Sequence, residues 1–249
     1  MIVNATDLKN NLGKYLRAAA REEVIVTSNG RKIARLTAYE DKTEASGSGS
    51  LIQERAELYA LKPRKVSYEE FLEISENSEE RYEYIDGEIY LLASPKAVHQ
   101  QILGELYGIL YNWFRGKSCR PLFAPFDITL KRNEENINIV QPDLMVICDL
   151  EEKLNEKNYY MGVPSLMVEI LSESSRGKDQ VKKLDLYMST GVKEYWIINP
   201  FSREVTVFLF EKSDPVGSKT YKDGDNIASF IFDGLKVSMD SLFGSIKKL

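Results

Sequence analysis

Asp143, Glu169 and Lys183 stand where ordinary core packing does not ask for charge. Asp143 follows Gln141-Pro142 and opens the apolar run Leu144-Met145-Val146-Ile147, and Glu169 lies inside Leu166-Met167-Val168-Glu169-Ile170-Leu171. Asp179, Lys183 and Tyr187 recur at a spacing of four, the repeat of one helix face. An acid inside an apolar strand is costly to bury unless something compensates its charge. Two such acids on neighbouring strands can share a divalent cation, with the Ile170 carbonyl as a further oxygen ligand. The sequence holds one histidine, His99, and two cysteines, Cys119 and Cys148. Oxygen ligation of this kind suits a hard ion, Mg2+ or Mn2+. Asp127 is a third candidate carboxylate.

These residues need a scaffold that brings them together. With 249 residues, 43% of them apolar, the chain has ample material for one large domain or two unequal ones. No apolar run approaches the roughly 20 residues of a membrane span. The start, Met1-Ile2-Val3-Asn4, lacks the basic and apolar regions of a secretory signal, so the expected compartment is the cytoplasm with no membrane partner. Cys119 and Cys148 lie far apart in strand-like patterns, and neither a disulfide framework nor a cysteine zinc site is expected. The net charge of −5 is unevenly spread. Residues 1–40 carry seven Lys and Arg against four Asp and Glu, whereas the remainder carries 26 against 34. A basic head on an acidic body places metal-free phosphate contacts on the head, at Lys9, Lys14, Arg17, Arg31 and Lys32.

Within the head, Leu8, Leu12, Tyr15, Leu16 and Ala19 predict a helix over 5–20, capped by Asn4 or Thr6. Val24 to Thr27 and Ile33 to Thr37 predict two strands joined through Asn29-Gly30, a dipeptide that tolerates the positive φ of a tight turn. Some forty residues make a poor solitary core, so a homodimer is expected. The run Ile2 to Leu12 followed by Glu23 to Leu36 resembles the N-terminal half of Phd/YefM-type antitoxins. That resemblance implies a small α+β domain over 1–42 that dimerises, binds operator DNA and has a toxin as a further partner. An unrelated dimerisation module with a solvated basic face is the plain alternative.

Residues 43–62 read as a Ser/Gly linker and a connecting helix. From 63 to 249 the pattern is α/β. Ser67 to Glu70 has capping-box spacing before a short helix, and Asp86-Gly87 marks a hairpin. Ser94-Pro95 precedes a helix of about 96–115. Leu122 to Leu130, Ile137 to Cys148 and Ser165 to Leu171 read as strands, 176–189 as a helix stopped by Gly191, and Glu194 to Asn199 as a buried strand. Arg203 to Phe210 and the segments around Tyr221 and Phe230 complete the sheet, and Asp240 to Phe243 closes it as a helix.

Strand-borne Pro142-Asp143 followed by Glu169 resembles the skeleton of PD-(D/E)XK nucleases, except that Leu171 stands where that motif has lysine. Tyr82-Glu83-Tyr84-Ile85-Asp86-Gly87-Glu88, His99-Gln100, Gln141-Pro142-Asp143-Leu144, Val168-Glu169-Ile170-Leu171-Ser172, Asp179, Lys183, Tyr187, Gly191-Val192 and Glu194-Tyr195-Trp196 occur in the order of the Uma-two family. The chain is similar to that family over 64–215. The resemblance implies a restriction-endonuclease-like mixed β-sheet flanked by helices, a metal-dependent phosphodiesterase, and a lysine relocated to the helix. Asp143, Glu169 and the Ile170 carbonyl would then hold the metal. Lys183 would orient the attacking water or meet the charge developing on phosphorus, with Lys182 as the fallback. Asp127 and Glu88 would be supporting carboxylates, and Asp179 or Tyr187 would position Lys183. His99 reads as a structural hydrogen-bonder rather than a base, and Tyr195-Trp196 as core. An inactive nuclease fold that binds DNA, or a fused toxin–antitoxin unit, fits the same residues. Salt-bridged strand acids and an exposed Asp179–Lys183 pair are the bland readings of the site.

Overall fold

The computed structural model describes residues 1–4, 7–8, 12–19, 22–28, 31–36, 64–172, 178–244 and 246. The chain divides into two compact units, Met1–Ala60 and Leu61–Leu249. The linker and the helix expected over 51–61 lie outside the described residues, as do Thr6, Lys9, Asn29 and Gly30.

In the first unit, strands β1 (Ile2–Asn4), β2 (Val24–Ser28) and β3 (Arg31–Leu36) form one sheet in that order, with helix α1 at Leu12–Ala19. Tyr15 and Ala19 of α1 share a small core with Val3, Val24 and Val26. Strand β1 was not among the elements expected of the head, and the residues that follow it, where the expected helix would start, lie outside the described ones. The strand runs parallel to β2, with Asn4 opposite Thr27. Three residues are too few to show a strand period, and only the partner strand defines them. Lys14 is exposed, Arg17 lies on α1, and Arg31 and Lys32 lie on β3.

The second unit is an α/β fold with two main sheets. After the short strand β4 (Arg64–Lys65), helix α2 (Tyr68–Glu76) opens on Ser67, whose hydroxyl accepts from the Glu70 N–H as the capping box predicts. Strands β5 (Tyr82–Ile85) and β6 (Glu88–Leu91) form the expected hairpin, with Asp86 and Gly87 both at positive φ. Helix α3 (Ala97–Phe114) buries Ile102, Leu106 and Leu110. Its N-cap is Lys96, without a side-chain bond, so Ser94-Pro95 lies just before the helix instead of capping it.

The two long strands expected next are each broken. Arg120–Phe123 (β7) and Ile128–Lys131 (β8) are separate, as are Ile137–Val140 (β9) and Leu144–Ile147 (β10). Together they make one long antiparallel hairpin that bends at 124–127 and 141–143. Its distal half (β8, β9) pairs into the five-stranded sheet β4-β6-β5-β9-β8. Its proximal half (β7, β10) joins a six-stranded sheet completed by β11 (Leu166–Ile170), β12 (Glu194–Asn199), β13 (Glu204–Glu211) and β14 (Asp214–Tyr221), in the order β14-β13-β12-β11-β10-β7. Pro125 and Pro142 stand at the bend, where neither can donate to a ladder. The chain leaves β11 and returns parallel to it as β12 through a π-helical turn, Lys178–Lys183, continued by helix α4 (Leu184–Ser189). Gly191, at φ 93°, then ends the helical segment as expected. Beyond the sheet, β15 (Asn226–Ala228) and β16 (Lys236–Ser238) form a separate ribbon before helix α5 (Met239–Phe243). The segment around Phe230 is therefore not part of the sheet.

Helix α3 packs on one face of the six-stranded sheet through Leu144, Val146, Leu166, Val168, Ile170 and Trp196. Cys119 and Cys148 are joined as a disulfide, which corrects the expectation of unpaired thiols. The antiparallel register that places Arg120 opposite Ile147 puts these two cysteines opposite each other one step further out. Among the described residues no helix is long and apolar enough to cross a membrane.

Glu194 shows how this fold accommodates an acid that serves structure alone. It is fully buried, and its carboxylate accepts from the Trp196 indole, the Ser229 hydroxyl and the Phe230 and Ile231 N–H groups. Burial pushes its pKa up despite these donors. Glu194→Ala would take the carboxylate acceptor from the Trp196 indole, the Ser229 hydroxyl and the Phe230 N–H, while the Ile231 N–H keeps the Ser229 hydroxyl oxygen. It should cost about 3 kcal/mol or more in urea denaturation, since each buried unpaired group costs roughly 1–3 kcal/mol.

Candidate active site

The bend in the long hairpin places Asp143 immediately before β10, opposite Glu169, one step beyond the Leu144–Val168 pair. Asp143 Oδ2 accepts the Ile170 N–H at 2.7 Å and lies 3.1 Å from His99 Nε2 in the first turn of α3. Glu169 is nearly fully buried in β11. Its Oε1 accepts from Lys183 Nζ at 2.6 Å and from the Tyr187 hydroxyl at 2.7 Å. Lys183 ends the π-helical turn and Tyr187 follows one α-turn later, so both side chains reach the same oxygen. Lys183 is 2% exposed, which excludes the solvated ion pair as its role.

Asp179 lies inside the π-helical turn, whose i to i+5 bonding is wider than the α repeat. Its spacing of four to Lys183 is therefore not one α-helical turn, and its side chain is outside the described residues. π-turns recur at functional sites.

One member of the cluster was not expected. Glu83, fully buried on β5, accepts from Lys183 Nζ at 2.8 Å and from the Gln141 N–H at 3.0 Å through the same Oε1. Its signal is the one that singles out Glu169, an acid in a strand-forming run, and the run Tyr82 to Glu88 carries the family resemblance without assigning Glu83 a role. Lys183 thus lies between an acid of each main sheet.

The other candidates have different partners. Asp127 is exposed ahead of β8 and accepts from Gln141 Nε2 at 2.8 Å. It is not within the strand expected to carry it. Glu88 pairs with Lys182 and Tyr90, so Lys182 serves a neighbouring cluster on β6 and does not replace Lys183. Burial alone would raise the Glu88 pKa, but the bonds from Lys182 and Tyr90 and the charge of Lys65 bring it below the ordinary value. Burial and the Glu88 carboxylate push the Tyr90 phenol far up.

Glu169 and Glu83 share the one ammonium of Lys183, and Asp143 stands opposite Glu169 across the strand pair, so the carboxylates here exceed the lysine charge, which fits a hard cation. Asp143, 20% exposed, is the carboxylate of the three that reaches solvent, against 4% for Glu169 and 0% for Glu83. Among the described residues no three His, Cys, Asp or Glu groups already converge as a cation cage. Two carboxylates completed by water is the arrangement Mg2+ ordinarily takes. Leu171 is buried and its N–H bonds the Ile198 carbonyl, so its side chain supplies no charge in lysine's place.

A family model described as "Uma2: Putative restriction endonuclease" matches residues 68–240. The chain belongs to the Uma2 family. Residues 1–45 match a second model, the antitoxin Phd_YefM of type II toxin-antitoxin systems. Two uncharacterized proteins of Synechocystis sp. are similar to it. One is 28% identical over 60% of this chain and 76% of its own length, the other 26% identical over 55% and 76%. A crystal structure of a "putative nuclease belonging to DUF820" from Anabaena variabilis superposes with a TM-score of 0.58 at 21% identity, over 72% of this chain and 98% of that one. The fold of the Uma2 chain is therefore that of this restriction-endonuclease-like group.

Two outcomes follow from the buried charges. Lys183→Met would leave Glu83 and Glu169 without their shared cation and should lower stability by about 3–5 kcal/mol in urea melts. Glu88, held below its ordinary 4.5, stabilises the fold above that value and loses this contribution as pH falls through its lowered pKa. Glu88→Gln should therefore cost roughly 0.5–1 kcal/mol at pH 7, discounted for the part-exposed Lys182. That difference should shrink step by step as the melts are repeated at pH values falling below 4.5.

Proposed function

We propose that this Uma2 protein is a metal-dependent endonuclease that hydrolyses phosphodiester bonds of nucleic acid, DNA foremost. Its antitoxin-like head, over 1–42, would bind DNA and dimerise, and the catalytic domain would occupy 63–249. The observation that carries the reading is the 2.6 Å contact of Lys183 Nζ with Glu169 Oε1. The basic group that Leu171 does not supply stands beside the acid after all, brought by the crossover between β11 and β12.

Asp143 and Glu169, with the Ile170 carbonyl, would hold Mg2+ or Mn2+. When bound, such a cation supplies Lewis-acid polarisation of a phosphate oxygen and a water of lowered pKa. The chain's own groups do the rest. Tyr187 and Lys183 fix the Glu169 carboxylate, and the Ile170 N–H and His99 fix that of Asp143. The ammonium of Lys183 offers fixed positive charge in a dry setting, where it is worth most against charge developing on phosphorus. Glu83 holds that ammonium in place and ties it to the Gln141 backbone.

The antitoxin match favours a second reading, in which the head restrains the nuclease or another toxin. A plasmid-nicking assay with Mg2+ or Mn2+ tests the first reading. Asp143→Ala, Glu169→Gln and Lys183→Met should each lower nicking by roughly a hundredfold or more, with folding checked by circular dichroism. Nicking that survives Glu169→Gln would sink the metal assignment. Deleting residues 1–50 should weaken DNA affinity, whereas faster cleavage would favour restraint.

A further inference from the structure

The outward side of α3 carries Gln101, Gly104, Gly108 and Tyr111 at alternating spacings of three and four, and Arg115 follows at its C-cap. No residue on this line is aliphatic. Beside it, the Tyr107 ring meets Phe123 of β7 edge to face at 4.7 Å and lies 5.8 Å from the Tyr111 ring. Phe123 is 47% and Tyr111 50% exposed, far more than aromatic rings that serve a core. Lys117 sits over the Trp113 ring just past the helix end. Arg115 and Lys117 are exposed cations on a body whose acids outnumber its bases.

The strand and helix that carry this aromatic row also border the candidate active site. Ala124, next to Phe123, donates its N–H to the Asp143 carbonyl at 3.2 Å, and His99 of the same helix contacts the Asp143 carboxylate. His99 Nδ1 is buried and has no hydrogen-bond partner among the described residues. Glycine inside a helix is destabilising relative to alanine. A Cβ at Gly104 or Gly108 would meet nothing within 4 Å among the described residues, so the packing described does not require the bare backbone.

We propose that this face of α3, with Phe123, docks an unpaired strand of nucleic acid at the nuclease site, its bases stacking on Phe123, Tyr107 and Tyr111 and its phosphates meeting Arg115 and Lys117. Aromatic faces accept any base, and nearby cations track the backbone, which is how single strands are held without sequence preference. The bare glycines give the sugar–phosphate chain room to approach. A second protein helix would find no aliphatic side chain on this line to bury, which disfavours a second copy of the chain as occupant. The inference rests on the nuclease reading and names the form of its substrate.

The test uses the full chain in EDTA, with a fluorescent single-stranded oligothymidylate carrying 5-bromodeoxyuridine, and a duplex as control. Tyr111→Ala/Phe123→Ala should weaken single-strand binding about tenfold or more while leaving duplex binding unchanged. Photo-crosslinks should map to Tyr107, Tyr111 or Phe123. Crosslinks confined to residues 1–45, or undiminished single-strand affinity, would overturn the proposal. So would a dimer that falls apart in Gly108→Leu with oligonucleotide binding intact, because the face would then belong to a second copy. Crosslinking on α3 in a chain that never nicks DNA would support this surface and refute the nuclease reading alone.

Discussion

A buried ammonium shared by two buried carboxylates ties this domain together. Lys183 on the crossover contacts Glu169 of the six-stranded sheet and Glu83 of the five-stranded sheet, and all three side chains are withdrawn from water. Charges taken out of water are tolerated only when geometry and further hydrogen bonds compensate them. Here the Tyr187 hydroxyl and the Gln141 N–H complete the set. The cost of separating any member is a reason for the two sheets and the crossover to keep one arrangement.

The bent hairpin is the second constraint. Because β7–β8 and β9–β10 are single strand paths split between two sheets, the bend is where the sheets meet. Gln141 and Asp143 lie at that bend with proline between them, so the residue that cannot pair sits where pairing must stop. Gln141 contacts Glu83 and Asp127, while Asp143 turns to the Ile170 N–H and His99. Comparison with Glu194 sharpens the point. That acid is equally buried but meets only neutral donors, and nothing near it calls for a cation.

The sequence by itself determined which residues carry unusual charge and in which order. Asp143, Glu169 and Lys183 were legible because an acid in an apolar strand and a lysine on a helix break the local pattern. Local chemistry also marked the Ser67 cap, the Asp86-Gly87 turn and the Gly191 stop, since each depends on residues a few positions apart. The α/β class followed from the same periodicities.

Only the tertiary structure decided who meets whom. Glu83 joins Lys183, Lys182 turns to Glu88 instead, and Cys119 faces Cys148 because long-range strand register brought them together. The breaks after Phe123 and Val140 are likewise events between sheets, invisible to a period-two pattern that continues across them. A π-helical turn, which sets where Lys183 points, differs from an α-helix in that each backbone hydrogen bond spans one residue more, and hydrophobic spacing does not encode that difference. Register and helical phase are global quantities. They are fixed when distant segments bury the same charge, and no single segment holds enough information to state them.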